Sequence, residues 1–385
     1  MAESALEQLL RDLVRIPSPN PPGDCRDIAR YIASWLDVPG VEIRTLHPPE
    51  KVMAESVIAT LGDGSPPVIM LHAHIDTVPV AADEAERWSR NPFEPWVADE
   101  AIYGKGSVDD KGVLAAMMMA FRDLAQEAGA LAGTVVLVGA AEEETGGQLG
   151  TRWLAESGHL PPCDFIVVGE QTANRVAVAH KGVLRATVRT RGRSVHATNP
   201  DRGVNAITAM AKLVSALEVY HRELRGRKHP LVGNPSCNVG TIQGGSTANA
   251  VPDTCEVRLD RRMVPREDPD VVKEELEAVV RSVDVSPATA EIGEFLVSSW
   301  FESDLATPLG QTFLRLAGEV GEAGPVGYLP GSDAKHLMGV ARGDMVVFGP
   351  GSYEEAHAAD EHVSLPELRD CQGVLSRFLK VVLSA

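Results

Sequence analysis

Imidazole and carboxylate groups follow short apolar runs at four places in this 385-residue sequence. Val68–Leu71 leads into His72-Ala73-His74-Ile75-Asp76, and Val135–Val138 leads into Glu142-Glu143-Glu144. Phe165–Val168 leads into Gly169-Glu170, and Val346–Phe348 leads through a glycine-rich turn to His357. A further carboxylate, Asp109, stands in Gly106-Ser107-Val108-Asp109-Asp110-Lys111, ahead of a helical pattern. Each has an ordinary structural use when taken singly: a hydrogen-bonded histidine, a solvated acidic turn, a helix N-cap at Asp109. Taken together they do not, because carboxylates gathered in one buried place repel unless positive charge lies among them. Asp109, Glu143, Glu144 and Glu170 sum to −4, which two divalent cations balance. Mixed imidazole and carboxylate donors suit zinc, with cobalt or manganese as substitutes. Such a centre activates water for attack on an acyl group. Spacing alone does not fix which residue binds which ion.

These groups converge if the apolar runs are neighbouring strands. Pro67–His74, Thr134–Ala140, Asp164–Val168 and Asp344–Phe348 are nearly continuous apolar runs bounded by turn residues. Strands covered on both faces have that pattern. Helical patterns over Lys111–Ala128, Gln148–Ser157 and Leu309–Val320 lie between them. The prediction is an α/β fold, with a mixed, largely parallel sheet flanked by helices. In open α/β sheets, ligands sit beyond the carboxyl ends of the strands.

From about His180 to Phe295 the pattern changes. Strand Leu184–Thr190, helix Gly203–Leu224, strands Cys237–Gln243 and Thr254–Arg261, helix Asp268–Val283 and strand Ala288–Leu296 follow in turn. The order β-α-β-β-α-β is that of a two-layer sandwich with an antiparallel sheet. The expected organisation is a catalytic domain in two parts, residues 1–179 and 296–385, interrupted by an inserted module at 180–295.

Composition narrows the partners. A net charge of −18 argues against nucleic acid and anionic membranes, both of which need a basic surface. The five cysteines are widely spread without a C-x-x-C pair, which fits free thiols in a reducing compartment. Met1–Val14 reads as an acidic amphipathic helix and lacks the basic-then-apolar order of a signal peptide. No run approaches the ~20 apolar residues of a membrane span. A cytoplasmic location is expected. With no G-x-S-x-G elbow and no H-E-x-x-H motif, serine-hydrolase and single-zinc protease chemistry are set aside.

The motifs carry a family resemblance. LHAHIDTVP (Leu71–Pro79), YGKGSVDDKG (Tyr103–Gly112), EEETGG (Glu142–Gly147) and GEQT (Gly169–Thr172) come first. RSVHATNP (Arg193–Pro200), NAVPDTCEVRLDRR (Asn249–Arg262) and the GPG…AHAADEHV segment ending at Val363 follow. In order, and over nearly the whole chain, they resemble the co-catalytic metallopeptidase and deacylase family. That family contains acetylornithine deacetylase, succinyl-diaminopimelate desuccinylase, aminoacylase and glutamate carboxypeptidase. The resemblance implies that His74 and Glu170 bind one ion, Glu144 and His357 the other, and that Asp109 bridges them. It further implies that Asp76 orients a ligand imidazole and that Glu143 is the general base. His196 resembles the family's lid histidine, which reaches a neighbouring subunit's site and stabilises the tetrahedral oxyanion; a homodimer through the inserted module is implied with it. Asn249 and Arg262 match positions that bind a substrate carboxylate, and alternation on a strand sends adjacent Arg261 to the other face. The Gly331-Ser332-Asp333 turn and Gly349-Pro350-Gly351 resemble backbone-rich substrate contacts, and simple turns would have the same residues.

Gln171 stands where proline is common and Asp110 where methionine is frequent, and neither departure removes a ligand. The implied reaction is hydrolysis of the amide bond of a small N-acyl amino acid. The Ser332–Leu337 stretch leans toward the deacylase branches. A dipeptidase or glutamate-type carboxypeptidase would use the same centre. A non-catalytic binding or regulatory homologue would lack a ligand or the base, and this sequence keeps them all.

Overall fold

A computed structural model describes residues 4–127 and 131–384. In it the four apolar runs are the strands Val68–His74, Thr134–Ala140, Cys163–Gly169 and Ala341–Phe348. Every residue of the first two is buried, as continuous apolar sequence requires of a strand covered on both faces. The four are parallel neighbours in the order Thr134–Ala140, Val68–His74, Cys163–Gly169, Ala341–Phe348. Their carboxyl ends therefore share one edge. Antiparallel strands Ser56–Leu61 and Val41–Leu46 extend the sheet beyond Thr134–Ala140. On the other side, Ala177 pairs antiparallel with Val347. The sheet is mixed, and parallel where the acidic and imidazole groups stand.

The chain divides into two compact units, Met1–Val178 with Ser303–Ala385, and Ala179–Glu302. In the first, the helix expected over Lys111–Ala128 is Lys111–Glu127, Ala128 lying outside the described residues. It packs against the C-terminal helix Leu365–Leu383. The expected N-terminal helix is Ala5–Val14, capped by the Ser4 side chain, and Met1 to Glu3 lie outside the described residues. The helix expected from Gln148 begins at Thr151. The Glu142 carboxylate accepts the Leu149 N–H, and only glycine fits at 150, where a Cβ would collide with the Ala141 carbonyl; 148–150 form a turn. A small sheet of Trp96–Ala98, Ala101–Tyr103 and His362–Ser364 completes this unit.

In the second unit, strands Ser236–Gly244, Thr254–Met263, Gly182–Arg191 and Thr289–Ile292 form an antiparallel sheet in that order. Leu296–Ser298 also pairs with Gly182–Arg191, and Phe301–Glu302 pairs with Ala179 and His180. These pairings carry the unit to Glu302. Gly182–Arg191 buries alternate residues, and Leu184, Ala186 and Val188 pack with Met210, Leu213 and Leu276 of helices Ala206–Glu223 and Pro269–Ser282. The result is the two-layer arrangement expected of the inserted segment.

All five cysteines are buried and unpaired. Among the described residues no helix is long and apolar enough to cross a membrane.

Four phenylalanines knit the sheet to its helices. Phe313 lies 5.1–5.4 Å, centroid to centroid, from Phe165, Phe348 and Phe378. Phe313→Ala is expected to destabilise the protein by about 3–5 kcal/mol. The check is the urea midpoint at unchanged slope; an unmoved midpoint would contradict this account of the core.

Candidate metal centre

His74 ends its strand at the shared edge and is buried. Its Nδ1 lies 3.0 Å from the backbone carbonyl of Asp76. A carbonyl can only accept, so Nδ1 carries the hydrogen. In the neutral ring Nε2 then presents a lone pair, 2.9 Å from Oδ1 of Asp109. Two lone-pair-bearing atoms that close require a proton or a metal ion between them. The donor set thus fits a cation on an observation of its own, apart from any motif.

Asp109 does not cap the helix that follows it. Its Oδ1 faces His74, and its Oδ2 lies 3.0 Å from Nε2 of His357. One carboxylate therefore stands between two imidazoles. Oε1 of Glu361 accepts the Val108 and Asp109 N–H groups, both at 3.2 Å, and its partner oxygen lies 3.3 Å from the Lys105 ammonium. This buried pair holds the loop that presents Asp109. The Asp109–Asp110 peptide bond is cis, and the Asp110 carboxylate accepts the His74 N–H at 3.2 Å.

Glu143 and Glu144 share a single 3-10 turn but face different partners. Oε2 of Glu144 lies 3.1 Å from Nε2 of His357, and its Oε1 accepts the Val78 N–H. Oε1 of Glu143 lies instead 3.4 Å from the Lys335 ammonium. The turn hangs from Asp76, whose two carboxylate oxygens accept the N–H groups of Glu143 and Glu144 at 3.1 and 3.2 Å. Asn20 donates to the same carboxylate at 2.9 Å. The Asp76 carboxylate itself stays 3.6 Å from the His74 ring, so the imidazole is aimed by the Asp76 main chain and the acidic turn by its side chain. Glu170, at the end of Cys163–Gly169, is buried and accepts the Tyr328 hydroxyl at 3.0 Å; the same hydroxyl lies 2.8 Å from Oε1 of Gln171. Donor atoms of His74, Asp109 and Glu144 all fall within 4.8 Å of one another.

The electrostatics express one demand. Burial, with the Asp109 and Glu143 charges added, pushes the Glu170 carboxyl well above its usual range. Burial and Asp109 raise Glu144 to about 7. Burial works against charge on Asp109 too, but hydrogen bonds from His357 and His74 hold it below the usual carboxylate range. His357 is held up at about 10 by its bonds to Asp109 and Glu144. The cluster gathers protons where cations would serve the same end.

The other expected residues are placed as follows. Ser332 is buried, its hydroxyl accepting the Ala334 N–H and its carbonyl accepting from Lys335, whereas Gly331 is exposed. His196, Asn249 and Arg262 belong to the unit Ala179–Glu302. His196 is exposed beside Thr198, and Asn249 accepts the Thr247 hydroxyl at 2.7 Å. Nε of Arg262 donates to Asp260 at 2.6 Å, while Arg261 points to the opposite, buried face and pairs with Glu267. Asn20, Tyr328 and Lys335 carry site contacts that sequence reasoning did not single out, and Asp333, expected in a turn touching substrate, instead accepts the Thr151 hydroxyl. The one signal for Lys335 was the Ser332–Leu337 stretch, read there only as a branch marker.

The profile of peptidase family M20/M25/M40 matches residues 70–381. An acetylornithine deacetylase of Edwardsiella ictaluri is 33% identical over an alignment of 342 residues that covers 86% of this chain and 85% of that protein. A tripeptidase from Staphylococcus aureus superposes with a TM-score of 0.78 at 22% identity, covering 99% of both chains. A dinuclear metal-binding peptidase of the M20 family from Bacillus subtilis superposes with a TM-score of 0.71 at 19% identity, covering 98% of this chain and 97% of its own. At such identities the two structures speak to the fold.

Metal binding must expel the protons that the cluster holds. With its imidazole at about 10, His357 is protonated at pH 7 in protein stripped of metal. Titration of zinc into chelator-stripped protein at pH 7 is expected to release at least one proton, with affinity falling as pH is lowered. Calorimetry in buffers of different ionisation enthalpy reads the release; heats independent of the buffer would contradict it.

Proposed function

The chain belongs to peptidase family M20/M25/M40 and is a metal-dependent amide hydrolase, and we propose that its substrate is a small N-acyl amino acid, which it cleaves to a carboxylate and a free amino acid. The observation that carries the chemistry is the division of partners along one turn. Glu144 joins His357 and Asp109, whereas Glu143 stands apart against Lys335. That division supports reading Glu144 as a cation ligand and Glu143 as the proton acceptor. The deacylase reading is supported by the acetylornithine deacetylase relative, whose similarity runs over most of both chains.

We assign His74 and Glu170 to one divalent ion and Glu144 and His357 to a second, with Asp109 between them. Zinc is the expected metal, and cobalt or manganese would substitute. When bound, such ions acidify a water molecule and polarise the scissile carbonyl. Glu143 takes the proton of the attacking water and delivers it to the leaving nitrogen as the C–N bond breaks. Asp76 keeps the His74 imidazole in one tautomer through its carbonyl and suspends the Glu143-Glu144 turn through its carboxylate. Arg262 and Asn249 are assigned to the substrate's carboxylate, which a guanidinium suits by its planar fork. Binding there would displace the Asp260 contact of Arg262. Gly331 and Ser332 are assigned to backbone contacts with substrate. His196 is assigned to the oxyanion in the site of a second copy of the chain, in a homodimer formed through the inserted module. A cytoplasmic location fits the unpaired cysteines.

Glu143→Ala is expected to lower kcat by about 10³-fold while leaving bound metal unchanged. Unchanged turnover would refute its assignment as the base. Mass spectrometry of products from a panel of N-acyl amino acids and dipeptides tests the substrate class, and cleavage of dipeptides alone would overturn the deacylase reading. In light scattering the active species is expected to be a dimer; a fully active monomer would remove the role given to His196.

A further inference from the structure

A carboxylate that shuttles a proton must be held in one place, and the turn bearing Glu143 is gripped by a single short segment far away in sequence. Lys335 places its ammonium 3.4 Å from Glu143, and Nε2 of His336 lies 2.9 Å from the Gly146 carbonyl. Asp333 lies against Gly147, where φ is +72° and a Cβ would collide with Oδ1 of Asp333. The gripping segment is itself anchored. Oδ2 of Asp333 accepts the Thr151 hydroxyl at 2.5 Å. That hydroxyl has only one hydrogen, so at 2.8 Å it must accept from Nε2–H of His72. His72 and His74 stand two residues apart on one strand and so share a face. A buried polar chain thus runs His72, Thr151, Asp333, Lys335, Glu143, with the Asp333–Lys335 ion pair at 3.9 Å.

Lys335 could instead be read as a contact for substrate, but it is buried and turned to protein partners. The side chain is 5% exposed, and its neighbours are Glu143, Asp333 and the Ser332 carbonyl, the last at 3.1 Å. Two of the ammonium's three hydrogens have acceptors within reach, Glu143 and the Ser332 carbonyl, and Asp333 adds charge at 3.9 Å without a hydrogen bond. Lysine at this place also answers a local need. Glu143 sits among Asp333, Asp76 and the ligand carboxylates, and a buried anion so placed is repelled from any fixed position unless a cation holds it.

We infer that Lys335 is a positioning residue, aimed by the Asp333–Thr151–His72 chain, that fixes the Glu143 carboxylate for proton transfer. The segment Ser332–His336 then acts through the base rather than on the substrate. The inference rests on the reading of Glu143 as the base, and the experiment separates the two. In the metal-loaded enzyme, with the best substrate of the panel above, Lys335→Met is expected to lose about 10²-fold in kcat, the scale of a base displaced by about 1 Å. KM should stay within about three-fold and metal content should match the parent, as for an interaction made only in the transition state. Ethylammonium added to Lys335→Ala should restore part of kcat in a saturable way. Glu143→Gln with Lys335→Met should be no slower than Glu143→Gln alone, because residues acting through one group do not add.

An unimpaired kcat in Lys335→Met, a defect confined to KM, or loss of bound metal would each overturn the inference. If Lys335→Met does not fold, Thr151→Val cuts the same chain two links back; a lowered kcat with intact metal supports the inference, and an unchanged kcat overturns it. A Glu143→Gln enzyme that still turns over would bring down the base assignment itself. An inactive Glu143→Gln beside an unimpaired Lys335→Met would bring down the positioning role alone.

Discussion

Repulsion among buried carboxylates is the constraint from which the rest of the first unit follows. Asp109, Asp110, Glu144 and Glu170 are drawn to one edge of a parallel sheet where little water reaches them. Such a gathering is stable where its charges are answered, and several of the answers are recognisable parts of the structure. Two imidazoles flank Asp109, Lys335 answers Glu143, Lys105 answers Glu361, and the Tyr328 hydroxyl meets Glu170. Cations complete the balance that these groups leave unfinished.

Parallel strand order makes the gathering possible. Four adjacent strands pointing the same way deliver their last residues to one line, although those residues are scattered from His74 to Phe348 in sequence. The helices that return the chain between strands supply the apolar cover, so the strands need no polar alternation. Site and core are therefore two aspects of one arrangement. The Phe165–Phe313–Phe378 cluster holds, from within, the same sheet whose edge carries the charges.

Much of this was legible in the sequence because it depends on composition over several residues. Thr134–Ala140 and Val68–His74 announce themselves as buried strands by unbroken apolar content, and the helix after Lys111 by its periodicity. What was not legible depends on single contacts between distant segments. The strands Trp96–Ala98, Ala101–Tyr103 and His362–Ser364 are three residues each, too short to show a period. The helix after Gln148 starts late because Glu142 captures the Leu149 N–H, a contact no local pattern reveals. Asp109 has the position of a helix cap and does other work, since two histidines from elsewhere claim its oxygens. Lys335 defaults to an exposed reading, because lysine is almost never buried unless paired, and its partner lies 192 residues away.

Asp76 holds two things by two different parts of itself, and the difference has a consequence for inheritance. Its side chain suspends the acidic turn, so any substitution that shortens or neutralises it releases Glu143 and Glu144 together. Its carbonyl sets the tautomer of His74, and a carbonyl belongs to every amino acid. The imidazole's orientation is thus shielded from point mutation at this codon, whereas the turn is not. A lineage drifting at position 76 would lose the placement of its acidic turn before it lost the aim of the His74 imidazole.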